Sequence, residues 1–309
     1  MTINNPKTKI WMQQIRANFL LLSVLLVALG LSIARWQHGY EIISLWESLL
    51  LLAGVVLAHI SVNLFNEHSD NKTGIDYNTE RTPFSGGSGM LQAGHTMPRE
   101  VLAASWITLL LALAIGVYFC LTSHWILIFI VLAGGIIVVT YTTHLNRWLI
   151  GETAAGLGLG TFVILGVYTA ATSTWQTPTA QVIPLPVLIA SLPSGILTGL
   201  LLLLNEFPDA EADRKGGRFH LVIFLGYKKA AYLYTAFMAI NYLIIISLPV
   251  FFNAGYWMLI ALATMPLAAA ASVTAIKHGD NIPKLTPALG MNVITVLATN
   301  ALMALSFWL

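Results

Sequence analysis

Asn63-Leu-Phe-Asn66-Glu67-His-Ser-Asp70-Asn-Lys72-Thr-Gly74-Ile-Asp76 closes one apolar run, and Arg81-Thr-Pro-Phe-Ser-Gly-Gly-Ser-Gly89 follows before the next run begins. Much later, Asn205-Glu206-Phe-Pro-Asp209-Ala-Glu211-Ala-Asp213-Arg214-Lys215 closes another run in the same way. Both stretches open Asn-Glu-x-x-Asp. The chain has 13 acidic residues, and eight of them (Glu67, Asp70, Asp76, Glu80, Glu206, Asp209, Glu211 and Asp213) fall here. In a chain that is 57% hydrophobic and 9% charged, such clustering needs a cause.

Working outward, that composition, with a mean hydropathy of +0.77, belongs to a polytopic membrane protein rather than a soluble domain. Runs of about 20 apolar residues, long enough to span a bilayer, fall near 17–34, 43–65, 101–121, 125–143, 153–172, 184–205, 228–250, 255–276 and 286–309. The expected fold is therefore all-α, with nine transmembrane helices around a central cavity. An open sheet edge has no partner in lipid, and barrel-type alternation is absent. The first run follows Lys7, Lys9 and Arg16 and has the outline of a signal peptide, but the span count favours its retention. Cys120, the only cysteine, lies in an apolar run, so no intrachain disulfide forms. The net charge of +2 and the absence of a basic tract leave nucleic acid out as a partner.

Lys and Arg set the orientation. On the nine-span reading, 14 of the 15 basic residues fall on the N-terminal side, and only Arg35 faces the other way. This predicts a multi-pass cell-membrane protein with a cytoplasmic N-terminus and both acidic stretches cytoplasmic. The chain then reads as one membrane domain, residues 1–309. Within it a diverged repeat relates spans one to four (17–143) to spans five to eight (153–276), with a ninth span added at 286–309.

On a helix end, Asn63, Asn66, Glu67 and Asp70 share a face, and Asp209 and Asp213 share another. Carboxylates stacked so closely repel unless a cation holds them. Oxygen ligands fit a hard ion such as Mg²⁺, with Glu67, Asp70, Asp209 and Asp213 as ligands. No His/Cys set has the spacing of a zinc site. Lys72, Arg81, Arg147 and Lys215, with Arg218, suit phosphate oxygens. Acids, bases and Mg²⁺ at a membrane face point to a phosphorylated lipid. The Gly86, Gly87 and Gly89 run is either a flexible turn or a close approach to phosphate, and matches no P-loop. A transporter built from repeats is the alternative, but its acids belong near mid-span and these stand at span ends.

The two motifs resemble those of the UbiA superfamily of intramembrane prenyltransferases. Asn66-Glu67-x-x-Asp70-x-x-x-Gly74-x-Asp76 is similar to its first motif, and Asp209-x-Glu211-x-Asp213 to its second. Glu67 stands where that family usually has Asp, and His220 where Asn is common. Thr140-Tyr141 leading to Arg147, Gly151-Glu152, and Gly166-Val-Tyr168 are similar to the 1,4-dihydroxy-2-naphthoate polyprenyltransferase (MenA) branch. The resemblance implies Mg²⁺-dependent transfer of a polyprenyl group from its diphosphate to an aromatic acceptor, beside membrane lipid. It implies catalytic roles for Asp70, Asp76, Asp209 and Asp213. Asn66, Lys72, Arg81, Arg147 and Lys215 would hold the diphosphate, and Asn63, Tyr141 and Tyr168 the acceptor or the allylic cation.

Overall fold

The computed structural model describes residues 6–39, 44–79 and 81–309, so Glu80 of the first acidic stretch lies outside the described residues. Among those described there is no β-strand. Eight helices among the described residues are long and apolar enough to cross a membrane: α1 (Ala17–His38), α2 (Leu45–Thr73), α3 (Pro98–Thr122), α5 (Gly151–Thr172), α6 (Leu185–Lys215), α7 (Tyr227–Phe251), α8 (Tyr256–His278) and α9 (Ile282–Ser306). Between α3 and α5 lies α4 (Leu127–Thr140), apolar but only 14 residues long. At 1.5 Å per residue it reaches about 21 Å, short of a hydrocarbon core of about 30 Å. The nine expected runs thus become eight full spans and one short helix, in the same order.

Two helices exceed what a membrane needs. α2 has 29 residues and α6 has 31, so each outreaches the hydrocarbon core by roughly 13–17 Å. That surplus is where the acidic motifs sit. α2 starts with a capping box, in which the Ser44 side chain accepts from Glu47 N–H and Glu47 reaches back to Ser44 N–H. It ends at Gly74, whose φ of 77° is the left-handed conformation that stops a helix. The helix Ile75–Asn78 then turns Asp76 inward. α6 runs through Pro193 and Pro208 without breaking. Asp209 therefore stays in helical register with Asp213, and Glu211 faces solvent.

The helices close a ring. α2 packs along α3, α6 along α7, and α8 along α9, while α1 joins α2, α5 and α9. α5 meets α6 at a glycine crossing. A Cβ on Gly160 would stand 2.5 Å from Gly195 Cα and 2.7 Å from Ser194 O, so the backbones touch. At the same place α5 takes a π-helical turn, Leu157–Thr161. The larger apolar core lies around α6, α7, α8 and α9. The outer faces of α3 and α4 expose Trp106, Leu110, Phe129 and Ile136, an apolar surface suited to lipid.

Candidate active site

A cavity of about 390 Å³ occupies the middle of the ring. Its walls change character along its length. One end is polar, lined by Asp70, Asp76, Asp209, Asp213, Arg16 and Arg218; the other is apolar, lined by residues such as Val55, Phe119, Val131, Phe162 and Val163.

Arg218 joins the two motifs. Its guanidinium donates to Asp70 and, at 2.9 Å, to Asp213 Oδ1. α2 and α6 are thus tied across the cavity mouth by one cation. Burial alone would lower the pKa of Arg218, but Asp70 and Asp213 more than reverse this and push it upward, so the charge is permanent. Breaking a buried pair by removing one partner typically costs about 3–5 kcal/mol. Asp209 Oδ1 and Asn205 Oδ1 are buried without a hydrogen-bond partner. Unpaired oxygens at a mouth already rich in carboxylates are what a hard cation would satisfy. Asp76 accepts from Gln92 Nε2 at 3.1 Å. Burial, then the charges of Asp70 and Glu67, raises its pKa from 3.8 to about 7.

Glu67 is the clearest departure from expectation. It is 1% exposed and does not line the cavity. Its Oε1 accepts from Ser88 N–H at 2.7 Å, and its Oε2 from Ser88 Oγ at 2.6 Å and Gln14 Nε2 at 3.1 Å. Gln14 Oε1 in turn accepts from Thr96 Oγ1 at 2.6 Å. The carboxylate clamps the glycine loop and the N-terminal helix Pro6–Gln14 together. The loop does approach the acids: Ser85, Gly86 and Gly87 line the cavity. Gly87 has φ 68°, and a Cβ there would fall 2.5 Å from Asp76 Oδ2, so only glycine fits.

The basic residues expected at the diphosphate divide sharply. Lys72, Arg81, Arg147 and Lys215 are exposed and do not line the cavity. Arg81 instead donates to Gly86 O and Gln92 Oε1, bracing the loop. Arg218 and Arg16 are the guanidiniums at the cavity. Arg16 has φ 54°, stacks 4.7 Å above the Phe19 ring and donates to Phe84 O. In the sequence it is only one of three bases before the first span, and no motif marks it. Asn63, Asn66 and Tyr141 line the cavity as expected. Tyr168 does not: it is buried in the helix core and bonded to His38 Nε2 at 3.0 Å. Glu206, three residues before Asp209 and so on the same helical face, lines the cavity, and His220 is 1% exposed, a burial that its spacing did not announce.

Fold and site together define a multi-pass membrane protein with an acidic, doubly arginine-braced mouth over an apolar chamber. The UbiA prenyltransferase family profile matches residues 20–293, and the chain belongs to that family. It is a prenyltransferase. The chain is 30% identical, over 82% of its length and 78% of the relative's, to the 1,4-dihydroxy-2-naphthoate octaprenyltransferase of Bacillus subtilis. It is 26% identical to the enzyme of the same description from Escherichia coli, covering 98% of this chain and 96% of that one. Among solved structures, a UbiA homologue from Aeropyrum pernix superposes with a TM-score of 0.72 at 17% identity, over 93% of this chain and 98% of that one. One from Archaeoglobus fulgidus, bound to DMAPP and Mg²⁺, superposes at 0.63 with 15% identity, over 95% and 98%.

Proposed function

We propose that the protein transfers a polyprenyl group from its diphosphate to an aromatic acceptor, 1,4-dihydroxy-2-naphthoate. The observation that carries this reading is the juxtaposition at one cavity mouth of Asp70, Asp76, Asp209 and Asp213 with Arg16 and Arg218. The carboxylate oxygens, including the unpartnered Asp209 Oδ1, fit Mg²⁺. Asp70, Asp209 and Asp213 would hold it, with Asp76 beside them, and Glu67 would not. When bound, Mg²⁺ neutralises charge on the departing diphosphate.

The chain's own groups supply the rest. Arg16 and Arg218 meet the negative charge that develops on the diphosphate as the allylic C–O bond breaks. The apolar chamber takes the prenyl tail and keeps water from the allylic cation. Tyr141, which lines the cavity, offers an aromatic ring to that cation. Asn63 and Asn66 line the same cavity; their amide nitrogens donate to Ile15 O and Thr142 Oγ1, and their amide oxygens are offered to the acceptor. The ring carbon attacks the cation, and in the naphthoate reaction the ring then releases its carboxyl as CO₂. The descriptions of the bacterial relatives support the naphthoate as acceptor. The distribution of basic residues supports a cytoplasmic mouth in the cell membrane, and the repeated motif at the ends of α2 and α6 supports an origin by duplication.

Mass spectrometry of products tests this directly. Purified protein, Mg²⁺ and mixed prenyl diphosphates are offered a panel of aromatic acids. A prenylated, decarboxylated naphthoquinol is expected. Product from 4-hydroxybenzoate and none from the naphthoate would replace this acceptor with a benzoate.

A further inference from the structure

At the cavity wall, which Glu206 lines, three side chains from separate elements turn toward one another. Glu152 lies in the first turn of α5, Glu206 near the end of α6, and His220 caps the short helix Leu221–Leu225. They are 5%, 5% and 1% exposed. One ligating atom from each lies within 4.8 Å of the other two.

These groups are poorly satisfied by the protein. Glu152 uses Oε1 to accept from Leu221 N–H at 2.8 Å, which leaves its Oε2 without a partner. Glu206 faces the Glu152 carboxyl, and neither its oxygens nor His220 Nδ1 has a well-formed hydrogen bond, while His220 Nε2 has only Asp213 for company. Two buried carboxyl groups facing each other need either a shared proton or a cation between them. Arg218 is committed to Asp70 and Asp213. His220 Nδ1 stands 3.5 Å from Glu206 Oε2. That is near the roughly 3.4 Å edge of a tetrahedron whose centre lies about 2.1 Å from each ligand atom. His220 Nε2 faces Asp213 Oδ2 at 3.3 Å. A histidine that binds a metal through one nitrogen commonly turns its other N–H to a carboxylate in this way.

We propose that Glu152, Glu206 and His220 form a site for a first-row divalent ion that accepts an imidazole nitrogen, such as Zn²⁺ or Mn²⁺. It is distinct from the all-oxygen set at the cavity mouth, which suits Mg²⁺. Such an ion ties α5 and α6 to the 216–220 loop and so fixes the backbone that carries Arg218.

The test is retention of metal by the full-length protein in detergent. It is loaded with Zn²⁺ or Mn²⁺ in excess Mg²⁺, desalted, and measured for metal content and by X-ray absorption. One ion per chain is expected, with oxygen and a single imidazole nitrogen as protein ligands and no sulfur. Affinity should fall at least about tenfold in His220→Ala and in Glu152→Gln, and hold in Asp70→Asn. Wild-type protein that retains no ion, or an ion without an imidazole ligand, overturns the proposal and leaves a shared proton between the carboxylates. Loss of the ion in Asp70→Asn also overturns it, by assigning the metal to the mouth. The absorption measurement on wild type decides the matter even where a variant does not fold.

Discussion

Glu67 shows how one residue can satisfy a motif and leave its chemistry. It stands at a motif position and on the expected helix, yet three donors from Ser88 and Gln14 hold it away from the cavity. Glu67→Gln replaces an anion accepting three hydrogen bonds with a group that can accept at only one atom. A net loss of about 1–3 kcal/mol of stability is expected, with faster proteolysis across residues 81–97. The Mg²⁺ concentration giving half-maximal rate should stay where it was. If it rises severalfold, Glu67 returns to the ligand set.

Asp76 makes a prediction of opposite kind. Its pKa of about 7 lies above the ordinary 3.8, so between those values the folded protein binds a proton that the unfolded chain does not. Metal-free stability from this group therefore falls as pH rises from 3.8 through 7. A cation at the mouth must displace the same proton, so Mg²⁺ binding should tighten as pH rises toward 7 and level off above it. Asp76→Asn should flatten that dependence, as read from Mg²⁺ titrations at several pH values.

At the level of elements, the site depends on close approach of backbones. α5 meets α6 where Gly160 lies against Ser194 and Gly195, beside the π-helical turn. Gly160→Ala puts a methyl into backbone atoms that cannot move aside as a flexible side chain would. We expect a loss of about 1–3 kcal/mol, seen as a lower melting temperature in detergent, and a lower rate because the cavity wall shifts. Gly156 carries the same logic, since a Cβ there would meet Gly195 O at 2.6 Å. These glycines were not legible in the sequence. A glycine in an apolar run looks alike whether it faces lipid or a partner helix.

For the whole molecule, Arg218 couples the two acidic motifs across the cavity. Arg218→Ala leaves Asp70 and Asp213 facing each other without a charge between them. Turnover should be lost, and stability should fall by about 3–5 kcal/mol. Millimolar Mg²⁺ should restore part of that stability by occupying the same oxygens, a result that thermal melting with and without Mg²⁺ would show. A variant equally stable with and without Mg²⁺ would remove Arg218 from its bridging role.

The sequence by itself determined the class of the molecule. Nine apolar runs and two Asn-Glu-x-x-Asp motifs at run ends follow from the cost of burying backbone and charge in lipid, which is paid locally and so is written locally. Asp70, Asp209 and Asp213 were legible because helical register places carboxylates on shared faces, and Asp76 through the resemblance of the first motif. Only the tertiary structure decided which cations face them. Lys72, Arg81 and Lys215 sit close to the acids in sequence, yet Lys72 and Lys215 are exposed and Arg81 turns back onto the glycine loop, whereas Arg16 and Arg218 reach the cavity from loops. It likewise brought His220 to Glu152 and Glu206, ligands too far apart to show any zinc-type spacing, and it turned Tyr168 into the core. The physical reason is that spacing encodes neighbours on one helix, while a contact between helices depends on how the ring closes.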